Sequence, residues 1–238
     1  MIRAVPETGS TNADLLARLG AGERMPEGEW LVADRQTGGR GRQGRSWLDG
    51  PGNFMGSTVV HVSPQDPSPA SLSFVAALAV YETVLARLGN PRELQLKWPN
   101  DVLLCGGKFC GLLLEAAGGS VVVGVGVNLA SAPRAETEAR ALSEFGPAPD
   151  RDAFAAELAV HFDSELGRWR QYGIEPILNR WLAAAHPVGS ALTVHEPNGE
   201  CVAGAFDGLE PDGALRLRLA DGSARVIHAG DVMLGGAG

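Results

Sequence analysis

Residues 38–47 read GGRGRQGRSW, and how they are read decides which folds stay open. Gly39, Gly41 and Gly44 satisfy G-x-G-x-x-G, the spacing of a dinucleotide-binding turn. Such a turn works only where a strand passes straight into a helix whose first N–H groups meet a pyrophosphate. Upstream, EWLVADR (29–35) reads as a strand. Downstream, RSWLDGPGN (45–53) puts Gly50, Pro51 and Gly52 where a helix would have to begin. The stretch is therefore a loop, and the dinucleotide reading fails on context. A Walker A loop fails too, because Gly107-Lys108 is followed by Phe109 and no glycine stands five positions before Gly107.

The same loop is unusually cationic. Residues 35–48 hold Arg35, Arg40, Arg42 and Arg45 and no acid, within a chain of net charge −8. Positive charge gathered at one place in an acidic protein suits one small anion better than a long phosphate backbone. Three readings stand at this point: a solvated surface loop, a short RNA-binding segment with Trp47 as a stacking ring, and a flap that orders over a phosphate. The chain has 18 arginines and only two lysines, Lys97 and Lys108, which fall in one segment. A compact ammonium and a planar guanidinium are not interchangeable in a tight site, so the address of these two lysines is a signal.

At 238 residues, with 45% hydrophobic and 20% charged residues, the chain can bury one good core and a small second one. MIRAVPETGSTNADLL lacks the apolar run of a secretory signal, and no stretch is apolar enough to span a membrane. Cys105, Cys110 and Cys201 form no C-x-x-C pair, which fits reduced thiols in a cytoplasmic protein. STNADLLARLG (10–20) reads as an amphipathic helix with Ser10, Thr11 or Asn12 as its cap, GSTVVHV as a strand, and SLSFVAALAVYETVLARLG as a buried helix. LQLKWP, DVLL, FCGLLLEAA and SVVVGVGVNLA read as a strand meander, and the segment from about 150 to 185 as helix broken near Gly173 and Pro176. After HPVGS (186–190), the short alternating strands ALTVHE, CVAGAFDG, ALRLRLA and ARVIHAG suggest a small β-barrel.

One further string concentrates chemistry. LQLKWPNDVLLCGGKFCGLLLE (94–115) joins Lys97, Trp98, Pro99, Asn100, Asp101, Lys108, Gly111 and Glu115. Pro99 pins the chain as it leaves a strand, and Asn100 and Asp101 are turn formers that also offer polar side chains. Lys97, between Leu96 and Trp98, sits where burial without an anionic partner is costly, so a carboxylate or an anionic ligand is expected beside it.

Taken together, the chain resembles the biotin protein ligases. The matching residues are Ser10-Thr11-Asn12 at a helix start, Gln36 before GRGRQGRSW, KWPNDV (97–102), GKFCGLLLE (107–115) and GVGVN (124–128), in the family's order. The resemblance implies an α+β fold. Its main part is a class II synthetase-like mixed or antiparallel sheet with flanking helices, over residues 1–187, followed by a small SH3-like β-barrel over 188–238. It implies the form without the DNA-binding module that some members carry, since only nine residues precede Ser10. It implies ATP-dependent formation of biotinyl-5′-AMP with Mg²⁺, then transfer to a lysine of a biotin carboxyl carrier protein, with no DNA or membrane partner and room for a homodimer.

By the same resemblance, Arg42, Lys97 and Asp101 are the catalytic candidates. Biotin would be held by Ser10, Thr11, Asn12, Gln36, Gly39, Arg40, Gly41, Arg42, Lys97 and Gly111. ATP and the adenylate would meet Arg40, Arg42, Trp47, Asn100, Lys108 and Asn128. Lys97 is expected to neutralise the biotin carboxylate and then the acyl-phosphate oxygens, and Asp101 to orient the incoming amine. No metal ligand is assigned. The rival readings are a lipoate ligase of the same superfamily, a nucleic-acid-binding module using the arginine loop, and a non-catalytic biotin-binding or repressor protein.

Overall fold

The structure is a computed structural model and describes residues 1–133 and 139–235. β1 (Ile2–Val5) runs parallel to β2 (Trp30–Ala33), with α1 (Thr11–Gly20) between them. β3 (Phe54–His61) leads to α2 (Leu72–Leu85), the mostly apolar helix, whose residues are largely buried as its composition requires. Then follow β4 (Leu94–Lys97), β5 (Asp101–Leu104), β6 (Gly107–Ala117) and β7 (Ser120–Val127), each antiparallel to the next. The expected meander is present. Its tight turns follow from Cys105-Gly106 and Gly118-Gly119, where both central residues take positive φ, the geometry that matches strand twist in a two-residue hairpin.

The first sheet has the order β1-β2-β3-β7-β6-β5-β4. The helices α2, α3 (Arg151–Tyr172) and α4 (Glu175–Ala184) cover one side, packing Trp30, Phe54, Phe154, Phe162 and the odd-numbered valines of β7 into the main core. The break between α3 and α4 falls at Gly173, with φ 78°, as the sequence suggests. Among the described helices, α1 alone lies on the other side of the sheet, where it buries Leu15 on Leu31, Val59 and Val122. Beyond the end of that short helix the second face stays open, and the functional cleft lies there.

β8 (Ala191–His195), β9 (Cys201–Leu209), β10 (Leu215–Arg218), β11 (Ala224–Ile227) and β12 (Asp231–Leu234) form a second, wholly antiparallel sheet in the order β11-β10-β9-β8-β12. The sequence reading expects a barrel. The strands do curl around a core of Val194, Phe206, Leu217 and Ile227, yet the end strands β11 and β12 make no ladder with each other among the described residues. Both are four residues long and only His228–Gly230 joins them, too little strand to close a cylinder. This sheet docks on the first through a buried hydrogen bond from Trp98 Nε1 to the Gly213 carbonyl at 3.0 Å, so one hydrophobic cluster runs through both. No described helix is long and apolar enough to cross a membrane.

Candidate functional site

The alternation of SVVVGVGV builds the floor of the site. Side chains alternate across a strand, so Val121, Val123, Val125 and Val127 face the core while Gly124 and Gly126 face the open side. Gly126 pairs with Gly111 of β6, giving a flat glycine patch. Trp47 lies on that patch: a Cβ at Gly126 would stand 2.7 Å from Trp47 Cζ2, and one at Gly111 2.9 Å from Cζ3. Gly124 leaves room in the same way for Asn12, whose Cγ would be 2.9 Å from an added Cβ.

The Gly/Arg stretch is neither a helix start nor a trailing loop. It folds as a miniature hairpin, with Trp47 N–H donating to Gly39 O at 3.0 Å and Gly41 N–H to Arg45 O at 2.7 Å, closed by a tight turn at Arg42–Gly44. Gly39 is required by the cross-strand approach, since a Cβ there would meet the Trp47 carbonyl at 2.6 Å. From the hairpin tip, Arg42 Nη1 donates to Asn100 Oδ1 at 3.1 Å and to Gly230 O at 3.5 Å. Arg45 Nη2 lies 2.8 Å from Asp231 Oδ1. The flap is thus clasped to the corner after β4 on one side and to the start of β12 on the other. Burial lowers the pKa of the Arg42 guanidinium from its ordinary value, while Asp231 and Asp101 oppose that shift. An anion would meet there a cation only partly neutralised by the protein.

Lys97 ends β4 and Asp101 begins β5, with the corner Trp98-Pro99-Asn100 between them. The carboxylate expected beside the half-buried Lys97 is Asp101: its Oδ2 lies 3.2 Å from Lys97 Nζ and its Oδ1 3.1 Å from Lys108 Nζ. One acid holds both lysines of the chain. Lys108 Nζ also stands 5.9 Å from the centre of the Trp47 ring. Across the floor, Ser10 caps α1, its Oγ accepting from Ala13 N–H at 3.5 Å. The amide N–H of Thr11 donates to Gln36 Oε1 at 2.8 Å.

These groups surround one cleft of about 820 Å³, a volume suited to a molecule of nucleotide-conjugate size. Ser10, Thr11, Asn12, Gln36, Arg40, Gly41, Arg42, Trp47, Lys97, Asn100, Asp101, Lys108 and Gly111 all line it. Two of the residues singled out from sequence do not. Gly39 is buried at the base of the flap hairpin, against Trp47. Asn128 is buried below the floor, its Nδ2 3.5 Å from Lys108 O, so it supports the strand that carries Lys108. Sequence reading overlooked Ser57, Asp231 and the role of Gly124 and Gly126. The glycines were legible as alternation on a strand, whereas nothing local marks Ser57 or Asp231. Among the described residues there is no cluster of three side chains able to cage a metal ion, and Asp101 already serves two ammoniums.

Arranged this way, the cleft offers a neutral hydrogen-bonding end at α1, an aromatic wall, and a cationic end formed by Arg42, Lys97 and Lys108. It can hold an amphiphilic acid beside a phosphate ester. Residues 10–130 match the model of the Biotin/lipoate A/B protein ligase family, and residues 189–235 that of the biotin protein ligase C-terminal domain. The chain is 40% identical to the biotin–[acetyl-CoA-carboxylase] ligase of Paracoccus denitrificans, over 96% of this chain and 98% of that one. It is 38% identical to the enzyme of the same name from Mycobacterium tuberculosis, over 96% and 87%. A biotin protein ligase from Aquifex aeolicus, solved with biotin and ATP, superposes with a TM-score of 0.86 at 25% identity, covering 98% of each chain.

Proposed function

Because the chain belongs to the Biotin/lipoate A/B protein ligase family, we infer that it is an ATP-dependent biotin protein ligase. It forms biotinyl-5′-AMP from biotin and ATP, and then biotinylates a carboxylase carrier protein. The observation that carries the reading is the meeting, in one cleft, of the Arg42 flap and the Asp101-held lysines with a polar end at Ser10, Thr11 and Gln36.

Two anions must meet in the first step. A carboxylate oxygen of biotin attacks the α-phosphorus of ATP, and the bond to pyrophosphate breaks. Lys97 neutralises the attacking carboxylate, and Arg40, Arg42 and Lys108 draw off charge from the phosphates, lowering the repulsion and stabilising the transition state. Mg²⁺, when bound, would come with the triphosphate and lower its charge, as its preference for phosphate oxygens and water over all-protein cages implies. The ureido head of biotin takes hydrogen bonds at Ser10, Thr11 and Gln36. Trp47, resting on the glycine floor, walls the apolar part of the cleft, and Asn100 holds Arg42 in place. In the second step a carrier lysine amine attacks the acyl carbon and AMP leaves, with Asp101 orienting the incoming amine. The clasped flap keeps water from the mixed anhydride meanwhile. We take residues 1–187 as the ligase unit and 188–238 as a small unit that supplies one wall of the cleft through His195 and Asp231. The three free cysteines accord with a cytoplasmic setting.

The test is to incubate the protein with ATP, Mg²⁺, labelled biotin and a biotin-carrier domain. Label on the acceptor lysine is expected, with none when lipoate replaces biotin. Label transfer from lipoate at an equal rate would move the reading to the rival acid.

A further inference from the structure

Glu115 belongs to no step above, yet it stands at the end of a hydrogen-bonded chain that reaches the biotin pocket. Its Oε2 accepts from Asn12 Nδ2 at 2.8 Å. Asn12 Oδ1 accepts from Ser57 Oγ at 2.6 Å. Ser57 Oγ and Thr11 Oγ1 are 2.7 Å apart, and Thr11 Oγ1 is 3.1 Å from Gln36 Oε1. Asn12, Ser57 and Thr11 are all buried.

Counting hydrogens gives this chain a single direction. A carboxylate only accepts, and so does the Leu113 carbonyl 3.3 Å from the same Asn12 nitrogen, so the amide of Asn12 has one orientation. Its oxygen therefore faces Ser57 as an acceptor, and the one hydroxyl hydrogen of Ser57 goes to Asn12. The Thr11 hydroxyl hydrogen then has two acceptors to choose from, Ser57 Oγ at 2.7 Å and Gln36 Oε1 at 3.1 Å, and the shorter contact takes it, since two oxygens that close need a hydrogen between them. That uses the one hydroxyl hydrogen of Thr11, so Gln36 Oε1 is left with the Thr11 backbone N–H, at 2.8 Å. On the cleft side, Thr11 Oγ1 presents only lone pairs, and the Gln36 NH₂ has no protein acceptor among the described residues. The Ser10 hydroxyl, which accepts from Ala13 N–H, keeps its hydrogen for a ligand. This set matches one edge of a urea, whose N–H can donate to Thr11 Oγ1 while the neighbouring carbonyl oxygen accepts from the flanking donors.

We propose that Glu115 is the positioning residue that fixes the donor–acceptor polarity of the biotin pocket, acting through Asn12, Ser57 and Thr11. The proposal rests on the ligase reading. Glu115 also lies 3.8 Å from Arg40 Nη1, so the group that orders the pocket also faces the flap. A neutral amide at position 115 offers Asn12 a donor as readily as an acceptor. Only the longer contact to the Leu113 carbonyl, at 3.3 Å, then still favours the native flip of Asn12, so the other flip gains population; in it the hydroxyls reverse and Thr11 points a hydrogen at the urea N–H.

The test measures biotin-dependent ATP–pyrophosphate exchange for Glu115→Gln. Losing one well-formed hydrogen bond corresponds to about a tenfold rise in KM for biotin and for desthiobiotin, which carries the same urea. KM for ATP should stay within about twofold. The charge swap Asn12→Asp with Glu115→Gln restores the direction, because the new amide at position 115 donates to the new carboxylate at position 12, which still accepts from Ser57, although its second oxygen now faces the Leu113 carbonyl. It should bring KM for biotin part of the way back, below that of Glu115→Gln alone. Ser57→Ala cuts the chain while leaving Glu115 in place. It should raise KM for biotin similarly and add nothing to Glu115→Gln, so the proposal stays falsifiable should the latter variant not fold. An unmoved KM for biotin, an equal rise for biotin and ATP, or a swap no better than Glu115→Gln alone would each overturn the proposal. A wild-type chain with no biotin-dependent exchange would overturn the ligase reading as well, so the two failures are distinct.

Discussion

Asp101→Asn removes one carboxylate that two ammoniums share, and the cost can be worked from the geometry. At 3.2 and 3.1 Å and an effective dielectric of about 20, each pair attracts by about 5 kcal/mol before desolvation is subtracted. Breaking a fully buried pair costs about 3–5 kcal/mol and an exposed one below about 1. Asp101 is 9% exposed, but the Lys108 side chain is 33% exposed, which places the net loss for the free protein at about 2 kcal/mol. For a domain of this size that is a fall in Tm of about 4–8 °C. Anionic ligands reverse the effect. Two ammoniums without a counter-charge bind biotinyl-adenylate more favourably, so the Tm gap to the wild type should shrink by most of its size when the adenylate saturates both proteins. Transfer from preformed adenylate to the carrier lysine should slow, because the group that orients the amine is gone. Differential scanning fluorimetry with and without adenylate, together with single-turnover transfer, reads all three. Equal Tm values without ligand, or a gap that ligand leaves untouched, would refute the electrostatic account of this corner.

Arg42→Gly should still form adenylate but leak it, labelling lysines of a bystander protein; a variant that labels only the carrier at an unchanged rate would contradict the clasp assigned to this arginine. Gly126→Ala drives a methyl to 2.7 Å from Trp47 Cζ2 and should lift the ring off the floor at a cost of about 1–3 kcal/mol. Quenching of Trp47 fluorescence on biotin binding and KM for biotin should both change, and unaltered values would show that the ring does not rest there. His186 is buried, its Nε2 has no partner among the described residues, and its pKa is pushed down to about 4, first by burial and then by the charge of Lys97. A folded pKa below the unfolded one means the unfolded chain binds the extra proton first. Stability should therefore fall as pH drops from about 6.5 to about 4, by at most about 3 kcal/mol. Urea titrations should give His186→Gln a flatter profile across that window, and an unchanged slope would assign the loss to other groups.

What the sequence disclosed tracks how local each cause is. The Gly50-Pro51-Gly52 run stopped any helix after the flap, and the period-2 alternation of β7 separated core valines from floor glycines within a few residues. The need of a half-buried lysine for an anion was met four residues later, by Asp101. The pieces that stayed hidden are joined across long separations. β1 is a four-residue edge strand with no fully buried residue, too short to stand out, and it exists because β2 pairs with it. β12 is a four-residue strand whose partner β8 lies far upstream. Asp231 meets Arg45 only because Trp98 and Gly213 seat the second sheet beside the flap. Glu115 was visible in the motif, but its chain to Gln36 passes through Ser57, a residue in an unremarkable strand, and so could not be read in one dimension.

The most direct measurement is biotin-dependent ATP–pyrophosphate exchange for the wild type and for Lys97→Met, which keeps the length of the side chain and removes its charge. If a mounted ammonium is what lets a carboxylate approach the α-phosphate, exchange in the wild type requires biotin and falls by about 10²–10³ in the variant, the loss typical of removing one electrostatic stabiliser of a transition state. Exchange that proceeds without biotin, or a Lys97→Met variant as fast as the wild type, would contradict it.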